Sequence, residues 1–463
     1  MVAKAKKVKA PPAGTGRRGL LKPSEAAKLL REKLAKDKPL GQRYKPETYM
    51  VVTRWTDKTR VKYGPNPKTL GSKSHPRYEK YSKAKTVGEA LRLGAYPPDL
   101  LWDFERNFYK VTGWPMRDEP IDLHRAKAEG MKLTRTDELL GKWVINELCR
   151  ELGTDQATLV REAGPGQNGI IHALRKMADK EAAHCLQQAK AAGRKLSTED
   201  LLRTLRRWCY GQNPYRVNVM QEGLKWVNSD TVGLNCGRDG DVHATRPTLL
   251  YPNVMRLLAR WIRERQPKEL AVQFPFTSVN MNFGYGARRH RDGNNIGLSM
   301  LAAFGDFKGG ELNYWPEDDR KLGVEALPAK GRASVDLSKN LMLFDGHRCH
   351  EVNGFKGERY SLVWFTCARY WKAGDALKKL ADMGFEIPTE ARLKAVEKAL
   401  GPPAGYGSTA KASKLPGYMT WPIDGAGGAT GEASGEAGGK RGAAAGKQAA
   451  APAKRRRVAA AGA

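Results

Sequence analysis

Two histidines, a carboxylate and an arginine stand in order within one stretch of this chain: His290-Arg291-Asp292, then His350, then Arg359-Tyr360-Ser361. Two imidazoles and one carboxylate are the ligands of the facial triad that holds non-haem Fe(II) and leaves positions open for a cosubstrate and O2. His290 and Asp292 lie two apart, so on a strand their side chains share one face and can reach one metal. Arg359 and Ser361 share a face by the same period. A guanidinium beside a hydroxyl binds a carboxylate through charge-assisted bonds. At its distance past His350, Arg359 is placed to pin the distal carboxylate of 2-oxoglutarate. His347 competes with His350 for the third ligand position. His350 is preferred because it opens a strand, whereas His347 is still in the turn after Asp345-Gly346. The other histidines (75, 124, 172, 184 and 243) are expected on surfaces or in packed helices.

The elements that must position these residues are short. From about residue 216 the pattern turns to β-like runs at 271–274, 278–283, 297–302, 310–314, 340–344, 351–353 and 359–366, separated by Gly and Asp turns. Many short strands in one stretch suggest a sandwich or barrel. The segment 315–338 between two of them is expected to be a loop over the mouth of the site. Before this region the chain reads as helical. Residues 136–152 place Leu139, Leu140, Trp143, Val144 and Leu148 on one face, and Ser197-Thr198-Glu199-Asp200 has the form of a helix start. A further helix is expected over 252–263, with Val254, Leu257, Leu258 and Trp261 inward. Residues 373–400 look helical again, and 24–37 has the spacing of a short helix.

Composition frames the site. Lys+Arg number 81 against 49 Asp+Glu, a net +32, which points to a polyanionic partner, most simply nucleic acid. Residues 1–110 hold 27 Lys/Arg against 10 Asp/Glu, so +17 of the excess lies there. Tyr44, Tyr49, Trp55, Tyr63, Tyr78 and Tyr81 are interleaved with those cations. That mixture suits a nucleic-acid surface, and equally a basic segment docked on a catalytic core. No run of 18 apolar residues is present, so no membrane helix is expected. The start of the sequence lacks the apolar stretch of a secretory signal. Six scattered cysteines without a C-x-x-C pair suit reduced thiols inside a cell and argue against a zinc module.

The resulting layout has a basic, uncondensed tail over 1–45 and a basic, largely helical region over 46–215. The site-bearing domain spans 216–372, followed by helices over 373–403. From 404 to 463 the chain is Gly/Ala/Ser-rich and expected to be disordered. It ends near Pro452-Ala453-Lys454-Arg455-Arg456-Arg457-Val458, which has the form of a basic nuclear-import signal. That implies a nuclear import receptor as partner and the nucleus as location.

The span from about Thr277 to Tyr370 resembles the 2-oxoglutarate/Fe(II) dioxygenases. Within them it is similar to the TET/JBP group, which oxidises the methyl group of a pyrimidine in DNA. The matching text is Ser278-Val279-Asn280-Met281-Asn282, then His290-Arg291-Asp292-Gly293-Asn294-Asn295, Gly309-Gly310-Glu311-Leu312 and Phe344-Asp345-Gly346. It continues through Gly357-Glu358-Arg359-Tyr360-Ser361-Leu362-Val363. The resemblance implies an α+β protein with a double-stranded β-helix (jelly-roll) core, and Fe(II) on His290, Asp292 and His350. It implies 2-oxoglutarate on Arg359 and Ser361, O2 as second cosubstrate, and Asn295 near the target base or cosubstrate. The implied partner is duplex DNA. One branch has a base-contacting His after the R-x-S strand, where this chain has Cys367, and a Cys-rich zinc portion absent here. Thymine is therefore at least as well supported as 5-methylcytosine. The alternatives are a protein or RNA hydroxylase that keeps the chemistry, and a DNA-binding chromatin protein whose site is inactive.

Overall fold

The computed structural model describes residues 43–423, apart from 114, 238 and 410–412. The expected helix over 24–37 and the basic cluster near 454 lie outside these residues. The chain combines helices with antiparallel sheets, an α+β arrangement.

The larger sheet carries strands β1 (Val227–Cys236), β2 (Ser278–Phe283) and β3 (Asn295–Phe304). It also takes in β6 (Asn340–Phe344), β8 (Tyr360–Cys367) and β9 (Met419–Pro422), while the smaller sheet is built from β4 (Leu312–Tyr314), β5 (Ala333–Val335) and β7 (His350–Val352). In space the larger sheet runs β9-β6-β3-β8-β2-β1 and then Gln212–Asn213, while the smaller runs β5-β4-β7. All pairings are antiparallel.

Side-chain alternation decides what each face meets. On one face of the larger sheet Val279, Met281, Met300, Ala302, Leu341, Leu343, Leu362 and Trp364 join a large apolar core. Helices α1 (Arg135–Leu152), α2 (Gly169–Ala191) and α3 (Thr198–Arg207) precede β1, α4 (Pro252–Glu264) lies between β1 and β2, and α2, α3 and α4 cover this face. The stacked pair Trp261 and Trp364, 5.6 Å apart, joins α4 to β8. On the opposite face Leu301, Ala303, Met342 and Phe344 pack across onto Leu312, Tyr314 and Val335 of the smaller sheet. The site lies at the polar end of this second layer, where β2 and β8 turn Asn280, Asn282 and Ser361 inward.

The basic N-terminal region has its own core, and it decides between the two readings left open for its aromatics. Tyr44, Tyr49, Trp55, Tyr78 and Tyr81 are buried in it, with Tyr63 packed against them, rather than forming a stacking surface. The rings meet edge to face, as in Tyr44 and Tyr49 at 5.6 Å and Tyr63 and Tyr78 at 5.7 Å. Aromatic pairs prefer that arrangement. Most cations between them, such as Lys58, Arg60, Lys62, Lys73 and Lys80, are exposed, whereas Lys68 pairs with the buried Asp103 and lies over the Tyr78 and Phe108 rings. Helix α2 joins the two cores: Ala173, Leu174 and Met177 belong to the first, and Ala178, Ala182 and Cys185 to the second. Arg175 on α2 donates to both oxygens of Asp230 on β1 at 2.8 and 2.9 Å, fixing helix to sheet.

Two expectations change. Residues 271–274 form no strand, because the Gln266 side chain satisfies their backbone: it accepts from Phe274 N at 2.7 Å and donates to Val272 O at 2.8 Å. The stretch expected to be uncondensed beyond 404 contains β9, which pairs with β6 from Asn340↔Pro422 to Leu343↔Met419. It covers what would otherwise be a sheet edge.

Candidate metal centre

His290 and His350 exchange backbone hydrogen bonds, each N–H donating to the other's carbonyl at 3.0 Å. This sets their rings side by side, with centroids 4.2 Å apart. Nδ1 of His290 lies 2.8 Å from Arg288 O, and Nδ1 of His350 lies 2.9 Å from Arg348 O. With each Nδ1–H donated to the backbone, both Nε2 lone pairs are available to a metal. Asp292 N donates to Gly346 O at 2.9 Å, and Asp292 Oδ1 lies 3.6 Å from His290 Nε2. One ligand atom from each of His290, Asp292 and His350 lies within 4.8 Å of the others. Two imidazoles and a carboxylate converging on one point fit a divalent metal such as Fe(II).

Electrostatics keep Asp292 and His350 in the form a metal needs. Burial pushes the Asp292 carboxyl up, but pairing with His290 and the nearby His350 and Arg216 outweigh it and hold it at about 2. Burial, with His290 beside it, pushes His350 down to about 4, so it is neutral at neutral pH. Gly346 is required where it stands. A Cβ there would lie 2.6 Å from Asp292 Oδ2 and 2.7 Å from Asn295 Nδ2.

The residues alternating with the ligands point away from the metal point and hold the frame. Arg289 pairs with Glu351 at 3.1 Å and lies over the Trp315 ring at 4.4 Å. Arg291 donates to the two oxygens of Asp318 at 2.7 and 2.6 Å and to Leu322 O at 2.8 Å. Asp318 Oδ2 also accepts from Cys349 N at 2.7 Å. One buried carboxylate thereby ties the segment carrying His290 and Asp292 to the residue before His350.

A cavity of about 270 Å³ opens onto the three ligands. Leu301, Leu312, Phe344, Val352, Val363 and Phe365 supply its apolar walls. Arg359 lines it too, only 2 % exposed. Its Nη2 donates to Gly310 O at 3.2 Å, its Nε has no partner, and its guanidinium lies 5.4 Å from the Phe307 and Phe355 rings. Among the described residues no carboxylate pairs with it. Burial pushes its pKa down to about 10. Tyr285 and, from beyond ion-pair range, Glu311 offset part of that burial, and a buried cation without an ion-pair partner is a receptor for an anion of matching shape. Ser361 Oγ stands on the same face and accepts from Asn282 Nδ2 at 3.3 Å, while Tyr285 OH donates to Asn282 Oδ1 at 2.7 Å.

Asn295 lines the cavity. Its Nδ2 donates to Ser299 Oγ at 3.2 Å, and its buried Oδ1 is left without a partner. Cys367 does not line the cavity but belongs to the apolar core on the far face of the sheet. His347 is absent from the three-residue cluster, and its Nδ1 sits 3.1 Å from Asp345 Oδ1. The segment 315–338 contributes no lining residue, against expectation. Arg291 and Arg289 hold it beside the frame through Leu322 O and Val324 O, and Tyr215, Arg216 and Val219 line the cavity instead.

Sequence reasoning missed Arg216 and Tyr285. With the Asn280 amide oxygen facing it, Arg216 donates to that oxygen at 2.9 and 3.2 Å. It precedes the strands in irregular chain, where no periodicity marks it. Asn280 and Asn282 carried a signal, since they alternate with Val279 and Met281 and so announce a polar face.

No family model and no curated protein matches the chain. Among solved structures it is similar to a prolyl-4-hydroxylase from Pseudomonas putida, with 20 % identity over 27 % of this chain and 68 % of that one, at a TM-score of 0.17. It is also similar to a prolyl hydroxylase from Trichoplax adhaerens in complex with a hypoxia inducible factor oxygen degradation domain peptide fragment. That likeness has 16 % identity over 44 % of this chain and 81 % of that one, at a TM-score of 0.20. Both likenesses are slight, and the functional reading rests on the geometry of the site itself.

Proposed function

We propose that this chain is an Fe(II)- and 2-oxoglutarate-dependent dioxygenase with a double-stranded β-helix core, and that it hydroxylates the methyl group of a 5-methylpyrimidine, thymine or 5-methylcytosine, in DNA. The observation that carries the chemistry is the sharing of one cavity by the His290, Asp292, His350 cluster and the Arg359 guanidinium. The DNA substrate is supported by the +32 charge of the chain and by the TET/JBP-like wording around His290 and Arg359.

When bound, the iron and 2-oxoglutarate supply oxidative decarboxylation to succinate and CO2, coupled to insertion of one oxygen atom of O2 into a C–H bond. The chain's own part is positioning and exclusion of water. Arg359 takes the distal carboxylate of the cosubstrate, with Ser361 as second hydrogen-bond partner. The apolar walls raise the strength of that ion pair by removing competing solvent. The amide of Asn295, which lines the cavity and whose Oδ1 has no partner, would turn to meet a donor on the substrate, such as the ring N–H of thymine or the amino group of 5-methylcytosine. Reaching this cavity requires the base to leave the stack, at a cost on the order of a few kcal/mol. Phosphate contacts made elsewhere on the basic surface would offset that cost. Nuclear location and an import receptor remain part of the proposal, resting on the Lys454 to Arg457 run.

The test is succinate release from 2-oxoglutarate by the Fe(II)-loaded protein. Release is expected to rise when duplex DNA carrying either base is added, and to vanish in Asp292→Ala. Stimulation by histone or ribosomal protein but not by DNA would transfer the reading to a protein hydroxylase.

A further inference from the structure

Once the N-terminal aromatics are accounted for as core, a different surface emerges on the same region. The helices Ser74–Tyr81 and Val87–Arg92 and the chain leading into Pro97–Glu105 enclose an open groove of about 670 Å³. Lys73, Arg77, Lys80, Lys83 and Arg92 line it together with Tyr96, and no acidic side chain does. None of these residues lines the metal cavity.

The nearby acids are engaged by other partners. Asp99 is held by Arg77 through bonds of 2.9 and 2.7 Å, Glu79 accepts from Asn66 at 2.7 Å, and Glu89 accepts from Lys85 N at 2.8 Å. Arg92 has a distant partner in Asp57 at 3.6 Å. Among the described residues Lys73, Lys80 and Lys83 have no carboxylate in ion-pair range, and all three are exposed. Three like charges in one groove raise the local positive potential and attract an anion, whose binding relieves their mutual repulsion. Arg77 has a different task. Its fork is occupied by Asp99, and its guanidinium lies 5.1 Å from the Tyr96 ring, which it supports while the ring stays 59 % exposed. A rigid, exposed tyrosine among free lysines is suited to sugar and phosphate contact.

We propose that this groove docks the phosphate backbone of duplex DNA, with Lys73, Lys80 and Lys83 neutralising about one phosphate each and Tyr96 packing on the sugar between them. The inference rests on the reading of this chain as one that works on DNA. It places the anchoring contacts on the N-terminal core, which α2 joins to the catalytic sheet.

The test uses the full chain and a duplex DNA probe, with affinity measured by fluorescence anisotropy over a salt series. The triple variant Lys73→Gln, Lys80→Gln, Lys83→Gln removes three phosphate contacts. The slope of log K against log salt falls by about 0.9 per contact, so it is expected to flatten by about 2.7. Between 50 and 200 mM salt the variant would then lose about 40-fold less affinity than the parent. Tyr96→Ala should weaken binding without changing the slope. A control triple variant at the exposed Lys378, Lys379 and Lys398 removes the same charge from another face. If the control flattens the slope as much as the groove variant, the cations act only as bulk charge and the groove assignment falls. An unchanged slope in the groove variant overturns it as well, as does preferential binding of the parent to an acidic peptide or anionic vesicle over DNA. Succinate release without added DNA, measured on each variant, keeps the catalytic reading separate. Its persistence alongside a failed groove would leave the dioxygenase intact, and its loss in the parent would instead strike at the catalytic reading.

Discussion

Replacing Arg359 with methionine is expected to stabilise the ligand-free chain while removing its cosubstrate site. Burial pushes the pKa of Arg359 from 12.5 down to about 10. At about 1.36 kcal/mol per pKa unit, keeping that buried group charged costs about 3 kcal/mol. Its hydrogen bond to Gly310 O returns about 1 kcal/mol, which leaves about 2 kcal/mol of net cost. Methionine keeps a flexible stem of similar length between Phe307 and Phe355. Since 1 kcal/mol moves Tm by about 2–4 °C in a domain of 150–250 residues, the variant should melt several degrees higher. Adding 2-oxoglutarate reverses the order. With Mn(II) present to prevent turnover, a cosubstrate at a hundredfold excess over its Kd stabilises the parent by about 2.7 kcal/mol, and the variant not at all. Thermal melts with and without metal and cosubstrate measure both effects. A variant that melts lower than the parent, yet is still protected by 2-oxoglutarate, would refute the assignment of Arg359 as an anion receptor.

Other perturbations probe the frame. Asp318→Asn weakens the bonds that hold both ligand segments. It should lower Co(II) or Fe(II) affinity by about 10–100-fold, the usual effect of losing an outer partner of metal ligands, as read by metal titration. Gly346→Ala places a Cβ against Asp292 and Asn295, and should lower metal affinity while far-UV circular dichroism stays unchanged. Asp292→Ala should remove metal binding and succinate release but leave DNA affinity within twofold. The pH dependence follows from His350, whose folded pKa of about 4 lies below its ordinary 6.5. Between those values the unfolded chain binds more protons, so the metal-free protein should lose stability as pH falls from about 6.5 to 4, by up to about 3 kcal/mol. Urea midpoints across that range should show the loss, and His350→Gln should remove most of it.

The centre was legible because its information is local. His290 and Asp292 obey the strand period, and Asp345-Gly346 marks the turn that delivers His350. What was not legible depends on contacts distant in sequence. Arg216 reaches the cavity from irregular chain and is held there by Asn280. Strand β1 hid behind polar residues because Ser229 faces the site and bonds to Asn280 and Asn282. Strand β9 is recognisable only from the edge of β6 that it covers. The N-terminal aromatics left two readings open in the sequence. Their alternation with lysines looked like a surface, but each short helix or strand here buries one side, and the rings fall on the buried side.

The most direct measurement is mass spectrometry of nucleosides from duplex DNA incubated with the Fe(II)-loaded protein, ascorbate and 2-oxoglutarate. Thymine-only and 5-methylcytosine duplexes run side by side. The account predicts a hydroxymethyl nucleoside from one of them, absent with Asp292→Ala. Unaltered nucleosides from both duplexes, with succinate still released, would contradict it.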